Sequence, residues 1–271
     1  MSRVRFRQAE QGYVPLEEGQ RKALEQKARE AIGQALALDP NLAEAHSQIG
    51  RIKMFVDWDW TGASASLQRA LALDPGNSAV VGFASRQVAC LGRFEEALVL
   101  ARRAVVLDPL NAVERASLAG IFFAMGRQEE AEMGFKKAFE LNPNLPAYRI
   151  RLGYVHLAQG RSQDALAEIE REPFGLPRLQ GYAVVYHALG RKKESDAALS
   201  ELIAKYQTDD AFQIAGVYAF RHEPDKAFVW LDRAYAQHDT GLAATRFEPL
   251  LNNLHGDPRY IAFSKKLRLP L

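Results

Sequence analysis

The chain has 271 residues, 48% apolar and 25% charged, enough for a sizeable core in one large domain or two ordinary ones. Its 35 Lys and Arg nearly cancel 33 Asp and Glu, which gives no electrostatic grip on nucleic acid. The single cysteine, Cys90, excludes an internal disulfide and a cysteine-only zinc site. No stretch is long and apolar enough to cross a membrane, and the basic start Met1–Arg7 runs into polar Gln8–Gln11 where a leader needs its apolar core. A soluble, cytoplasmic protein is therefore expected.

The 42 Ala and 32 Leu stand against 4 Thr, a balance that favours helix, because Ala and Leu lose little conformational freedom there. In chain order, residues 1–16 form an N-terminal segment. A first helix is predicted from about Leu16 to Leu38, so its hairpin partner is either missing or supplied by residues 1–15. It closes at Leu38-Asp39-Pro40, and that tripeptide returns as Leu73-Asp74-Pro75, Leu107-Asp108-Pro109 and Leu141-Asn142-Pro143. A second marker keeps step with it: Gly92, Gly126, Gly160 and Gly190, each followed by Arg. Glycine suits a left-handed helix terminus, and proline stops a helix at the residue before it. The two markers therefore divide each repeat into two helices.

One such pair runs from Ser78 to Leu91 and from Arg93 to Leu107, with Glu95 and Glu96 near the positive end of the second helix dipole. Small residues recur where paired helices must approach closely: Ala63 and Ala70, Ala97 and Ala104, Ala131 and Ala138. Leu67 and Phe135 fill the space between them at helical spacing. The second unit is one residue longer than the 34-residue period and puts Trp58-Asp59-Trp60 at its turn, where the tryptophans are read as a wedge. A fifth unit breaks at 172–178. Looser units follow around Tyr182, Tyr186, Leu199 and Leu202, then Ile214, Tyr218, Ala227, Leu231 and Ala234. Residues 241–271 are read as a capping segment, because the open end of a solenoid has to be made polar.

These units resemble tetratricopeptide repeats, whose pattern is W-x2-L-G-x2-Y, then A-x3-F, then P, over a period of about 34 residues. The chain gives Ile49-Gly50, Ala63, Leu67, Ala70 and Pro75 in one unit, and Leu118-Ala119, Phe122, Ala131, Phe135, Ala138 and Pro143 in another. The family Trp is absent throughout. The resemblance implies an all-α, right-handed superhelical solenoid of about six to seven helical hairpins over residues 17–240. The pairing of Asp57-Trp58-Asp59-Trp60 with Asp257-Pro258-Arg259-Tyr260 is similar, more narrowly, to the C-terminal repeat arrays of bacterial nucleotide cyclases and winged-helix regulators.

The functional face of such a solenoid is usually the concave one, lined by the first helix of each unit. Repeat phase places Arg51, Phe55, Phe83, Arg86, Phe123, Arg151 and Tyr154 there. Arg51 and Arg86 fall at equivalent positions of adjacent units, and a stripe of guanidinium forks beside aromatics suits carboxylates and apolar side chains. The resemblance also allows a test against chaperone-tail binders, which carry Asn and Lys at positions here held by Arg51, Arg86, Gly120 and Tyr154. That clamp is not matched.

No nucleophile, carboxylate pair, phosphate loop or metal-ligand cluster accompanies these residues, and the histidines are scattered. Cys90, mid-helix among alanines, is read as a packed thiol. The expectation is a non-catalytic scaffold without cofactor or metal, binding a protein or peptide with acidic and apolar side chains. The alternative is a regulatory sensor module for a small molecule or signalling peptide within a larger signalling protein. On the first reading, replacing Arg51 and Arg86 together by Ala abolishes binding and leaves the array folded.

Overall fold

The computed structural model describes residues 18–269, and within them every regular element is helical. A long helix, α1 (Glu18–Leu38), precedes six pairs: α2 (Ala43–Ile52) with α3 (Trp60–Leu73), α4 (Ser78–Cys90) with α5 (Phe94–Leu107), and α6 (Ala112–Ala124) with α7 (Gln128–Leu141). Then come α8 (Arg149–Ala158) with α9 (Ser162–Glu170), α10 (Gly175–Ala188) with α11 (Lys192–Tyr206), and α12 (Ala211–Phe220) with α13 (Pro224–Ala236). Each pair packs as a hairpin, and successive hairpins stack into a solenoid. The expected partner of α1 falls on residues 1–15, outside the described residues.

The turns follow from local chemistry. Gly92, Gly126, Gly160 and Gly190 all have φ between 72° and 78°, where a side chain would be strained. After each of them the arginine N–H reaches back to a helix carbonyl, as Arg127 does to Phe122 at 2.9 Å. His222 and Trp58 make the same turn with φ of 58° and 52°. The extra residue of the first hairpin is absorbed by a π-helical turn, Lys53–Asp57, ahead of Trp58.

Close approach within hairpins is equally local. Ala63, Ala70, Ala97, Ala104, Ala131 and Ala138 have no exposed surface. A Cβ on Gly50 would lie 2.9 Å from Leu67 Cγ, so only glycine lets α2 and α3 meet there. In the fourth hairpin α9 stops early at Glu170. Beyond it the buried Glu172 carboxylate accepts the Phe174 N–H at 3.3 Å, and the Ala147 and Ile150 N–H groups at the start of α8 oppose the rise that burial gives its pKa.

The segment after α13 does not continue the stack. Two 3₁₀ turns, Thr240–Ala244 and Pro249–Leu254, carry it back along the inner side of the array, and α14 (Pro258–Lys266) ends it. This strap touches hairpins far apart in sequence: Arg246 contacts the Leu91 carbonyl, Phe247 the Phe94 ring, Glu248 the side chain of Arg151, and Asn253 the Ala219 carbonyl. One apolar cluster joins Met54, Trp60 and Leu67 of the first hairpin, Phe212 and Leu231 of the last, and Leu251, Leu254 and Leu267 of the C-terminal segment. Trp60 Nε1 donates to the Leu267 carbonyl at 2.8 Å, across 207 residues of chain.

The strap's Leu242, Leu250, Leu251 and Leu254 are all buried. At roughly 1.5–3 kcal/mol per leucine their burial contributes about 6–12 kcal/mol before chain entropy is charged against it. That is comparable with the whole net stability of a folded domain, about 5–15 kcal/mol. The strap is therefore part of the folded state.

Trp60→Phe keeps an aromatic ring in the cluster but removes the Nε1–H donor to the buried Leu267 carbonyl together with the five-membered ring that carries it. A loss of about 1–2 kcal/mol is expected in urea unfolding, with the slope unchanged. A midpoint equal to that of the parent chain would show that this bond does not hold the ends together.

Candidate functional site

The first helices α4, α6 and α8 lie side by side and face the strap, and together they enclose a cavity of about 70 Å³. Its lining includes Arg86 and Ala89 from α4, Ser117, Gly120 and Phe123 from α6, Tyr148 and Arg151 at α8, and Phe247 and Pro249 from the strap. Most of its wall is apolar, with one guanidinium from α4 and one from α8 at its edge. A single water needs roughly 10–15 Å³ of such space, so the cavity has room for a side chain of leucine size or larger.

The seven residues placed on the concave face by repeat phase fall into two groups. Arg51, Phe55, Phe83 and Arg86 are neighbours. The Arg51 guanidinium lies 4.8 Å from the Phe83 ring centre, that of Arg86 lies 5.9 Å away, and Phe55 meets Phe83 at 6.4 Å. Both cations lie against the one aromatic ring. Burial, and then the charge of Arg86, hold Arg51 below the usual arginine range. Phe123, Arg151 and Tyr154 form the second group, one and two helices further along.

Two of the seven are less open than their phase suggests, since Phe83 is 3% and Tyr154 4% exposed. Tyr154 lies in the apolar cluster that contains Leu250 of the strap, and its hydroxyl has no hydrogen-bond partner. Burial pushes this phenol well above the ordinary tyrosine value, and nearby Glu248 pushes it further.

Each cavity arginine is held by a carboxylate that repeat phase does not reveal. Arg86 Nη1 donates to Glu114 Oε2 at 2.8 Å and to Ser117 Oγ at 3.2 Å. Glu114, on α6, is only 4% exposed. A Cβ on Gly82 would stand 1.9 Å from its carboxylate, so the glycine one turn before Arg86 is what makes room for the acid. That glycine is the only sign of the arrangement in the sequence. Arg151 Nη2 meets Glu248 Oε2 at 2.9 Å, and Glu248 comes from the strap. Burial alone would lower the Arg151 value, but Glu248 more than offsets it and the group is raised.

Cys90 is buried nearby, and desolvation pushes its thiol up to about 12, as suits a packed side chain. Trp58 stacks on His238 at 4.6 Å and also meets Tyr235, so the tryptophan pair at the first turn joins the two ends of the array. Among the described residues no group of three metal-ligating side chains occurs, and no helix is long and apolar enough to cross a membrane.

With this geometry in place, comparison with known proteins is informative. Residues 116–145, which run from α6 through α7, match the tetratricopeptide repeat family model. The fold is a tetratricopeptide-repeat solenoid. Among solved structures the chain is similar to the type IV pilus biogenesis factor PilW, with 18% identity, 73% of this chain and 92% of that one covered, and a TM-score of 0.59. A thermophilic TPR protein of Thermus thermophilus gives 18% identity, 69% and 99% coverage, and a TM-score of 0.58. A chain of the APC/C hetero-tetramer Cut9–Hcn1 gives 16% identity and a TM-score of 0.64, with 90% of this chain aligned to 46% of that one. Identities this low establish the TPR fold and nothing further. No curated protein matches the sequence.

The ion pairs alter what removal of an arginine does to this TPR array. Without Arg86, Glu114 stays buried with no counter-charge, so replacing Arg51 and Arg86 together by Ala strains the fold as well as the groove. Burial already raises the Glu114 carboxyl, and the charge and hydrogen bond of Arg86 oppose that rise. Arg86→Met takes this opposition away, and the carboxyl rises further. A raised folded-state value favours the protonated acid, so the variant's deficit should be largest near pH 7.5 and shrink as pH falls toward 5. Urea unfolding at both pH values reads this. A deficit independent of pH, or one that Glu114→Gln does not relieve, would refute the pairing.

Proposed function

We propose that the protein is a non-catalytic TPR scaffold that binds an extended peptide segment of a partner protein in the part of the concave channel the strap leaves open. The observation that carries this reading is the cavity between α4, α6, α8 and the strap. It is an apolar recess edged by Arg86 and Arg151, and its walls come from helices fixed by repeat packing. Arg86 is paired with Glu114 and Arg151 with Glu248, so both guanidinium groups are held in place beside the recess. An apolar side chain fills the recess, and an acidic one beside it meets the guanidinium groups of Arg86 and Arg151.

Supporting this reading, the channel already holds the strap by side-chain contacts of the same kind: Phe247 against Phe94, and Glu248 on Arg151. Its partner class is thus a peptide or protein segment with acidic and apolar side chains, in keeping with what the fold commonly does.

Gly120 offers a clean test, because a Cβ there meets only the Phe247 ring, at an ordinary 3.5 Å. Gly120→Leu fills the recess without a backbone clash. Peptides selected from a random library on the full chain should lose about tenfold or more in affinity for this variant. Undiminished affinity would move the binding surface away from the concave face.

A further inference from the structure

The geometry points to a second binding site, for a small organic carboxylate, in the recess between the strap, α14 and the turn from α4 to α5, with Arg246 as its anion-binding group. This site shares no lining residue with the cavity of the concave face and does not rest on the peptide reading.

The recess measures about 330 Å³, room for a small organic molecule. Gly92 lines it at the turn, Arg246 and His255 from either side of the second 3₁₀ turn, and Tyr260, Ile261 and Ser264 from α14. None of the six is an acid. Among the described residues Arg246 has no carboxylate partner, and its one hydrogen bond is long, Nη1 to the Leu91 carbonyl at 3.4 Å. Arg86 and Arg151, by contrast, are each paired with a glutamate. A guanidinium in a recess without acids is matched by a carboxylate, which accepts two of its N–H groups at once. The other walls complete the match. Burial, and then the charge of Arg246, hold the His255 imidazole below the usual histidine range, so at neutral pH it is an uncharged ring with one N–H to donate. That ring lies 4.6 Å from Tyr260, whose hydroxyl is fixed on the Thr245 carbonyl at 3.1 Å. Ser264 is only 3% exposed, yet its Oγ has no hydrogen-bond partner. A staggered rotation of its side chain therefore breaks no bond and offers the hydroxyl to a ligand. Ile261, 51% exposed, gives the apolar body of the ligand a wall. One full positive charge with two neutral donors suits a single carboxylate. Bound there, it bridges the strap, α14 and α4.

Benzoate and phenylacetate, each beside its neutral amide, are the probes, titrated against the full chain by ligand-observed NMR. The parent should bind each acid about tenfold more tightly than its amide. Arg246→Gln should bring acid and amide to equal affinity. Ser264→Ala removes a hydroxyl that has no partner in the free chain, so it should weaken the acids about threefold without lowering the urea midpoint. If Arg246→Gln does not fold, Ile261→Glu carries the comparison: on the exposed side of α14 it sets a like charge beside the recess, and it should weaken the acids about tenfold and the amides less. Equal affinity of acid and amide for the parent overturns the anion site, as does a parent that binds neither acid. A preference for the acids that survives both Arg246→Gln and Ile261→Glu overturns the placement. So does a preference that disappears in Gly120→Leu, which would put the carboxylate in the concave cavity instead.

Discussion

Leu251 and Leu254 sit where no repeat rule would put a contact, between Met54 and Trp60 of the first hairpin and Phe212 and Leu231 of the last. In a stack of hairpins each unit touches only its neighbours, so stability is close to a sum of nearest-neighbour terms and the ends are free to fray. The strap changes that arithmetic by coupling terminal hairpins through one apolar cluster and one buried indole hydrogen bond. The same chain segment narrows the concave channel to a recess, and the chemistry of the site depends on where it lies.

The recess owes its charge pattern to ion pairs whose members come from different elements. Arg86 is oriented by Glu114 on the next first helix, and Arg151 by Glu248 on the strap. Pairs this deeply set contribute little net stability, because desolvation offsets most of the attraction. What they provide is fixed direction. Two guanidinium groups are held at the edge of an apolar space, one of them lying, like Arg51, against the Phe83 ring. On the proposed function, a partner would meet an arranged pair of donors instead of two mobile side chains, which lowers the ordering cost of binding.

The repeat architecture was legible because every signal for it is local. Gly92 and its equivalents need positive φ, Ala63 and Ala70 need to be small, and Pro75 and Pro109 stop helices, so period and phase can be read residue by residue. The concave positions followed from phase, and Arg86, Phe123 and Arg151 do meet at one recess. The strap was not legible. Residues 239–254 show no period, and the position of Phe247 depends on contacts with residues more than a hundred positions earlier. The burial of Tyr154 beneath the strap and the partners of both arginines were hidden for the same reason. Gly82 carried a faint trace, since a glycine inside a regular helix marks something pressed against it, here Glu114.

The lone cysteine acquires a use from its position. Cys90 belongs to the cluster that binds the first hairpins to the strap, and its thiol, raised to about 12, holds almost no thiolate at neutral pH. An alkylating reagent reaches it only when that cluster opens. The native chain thus carries its own clock: the rate at which its single thiol is trapped records how often the circle formed by the array and its strap comes undone.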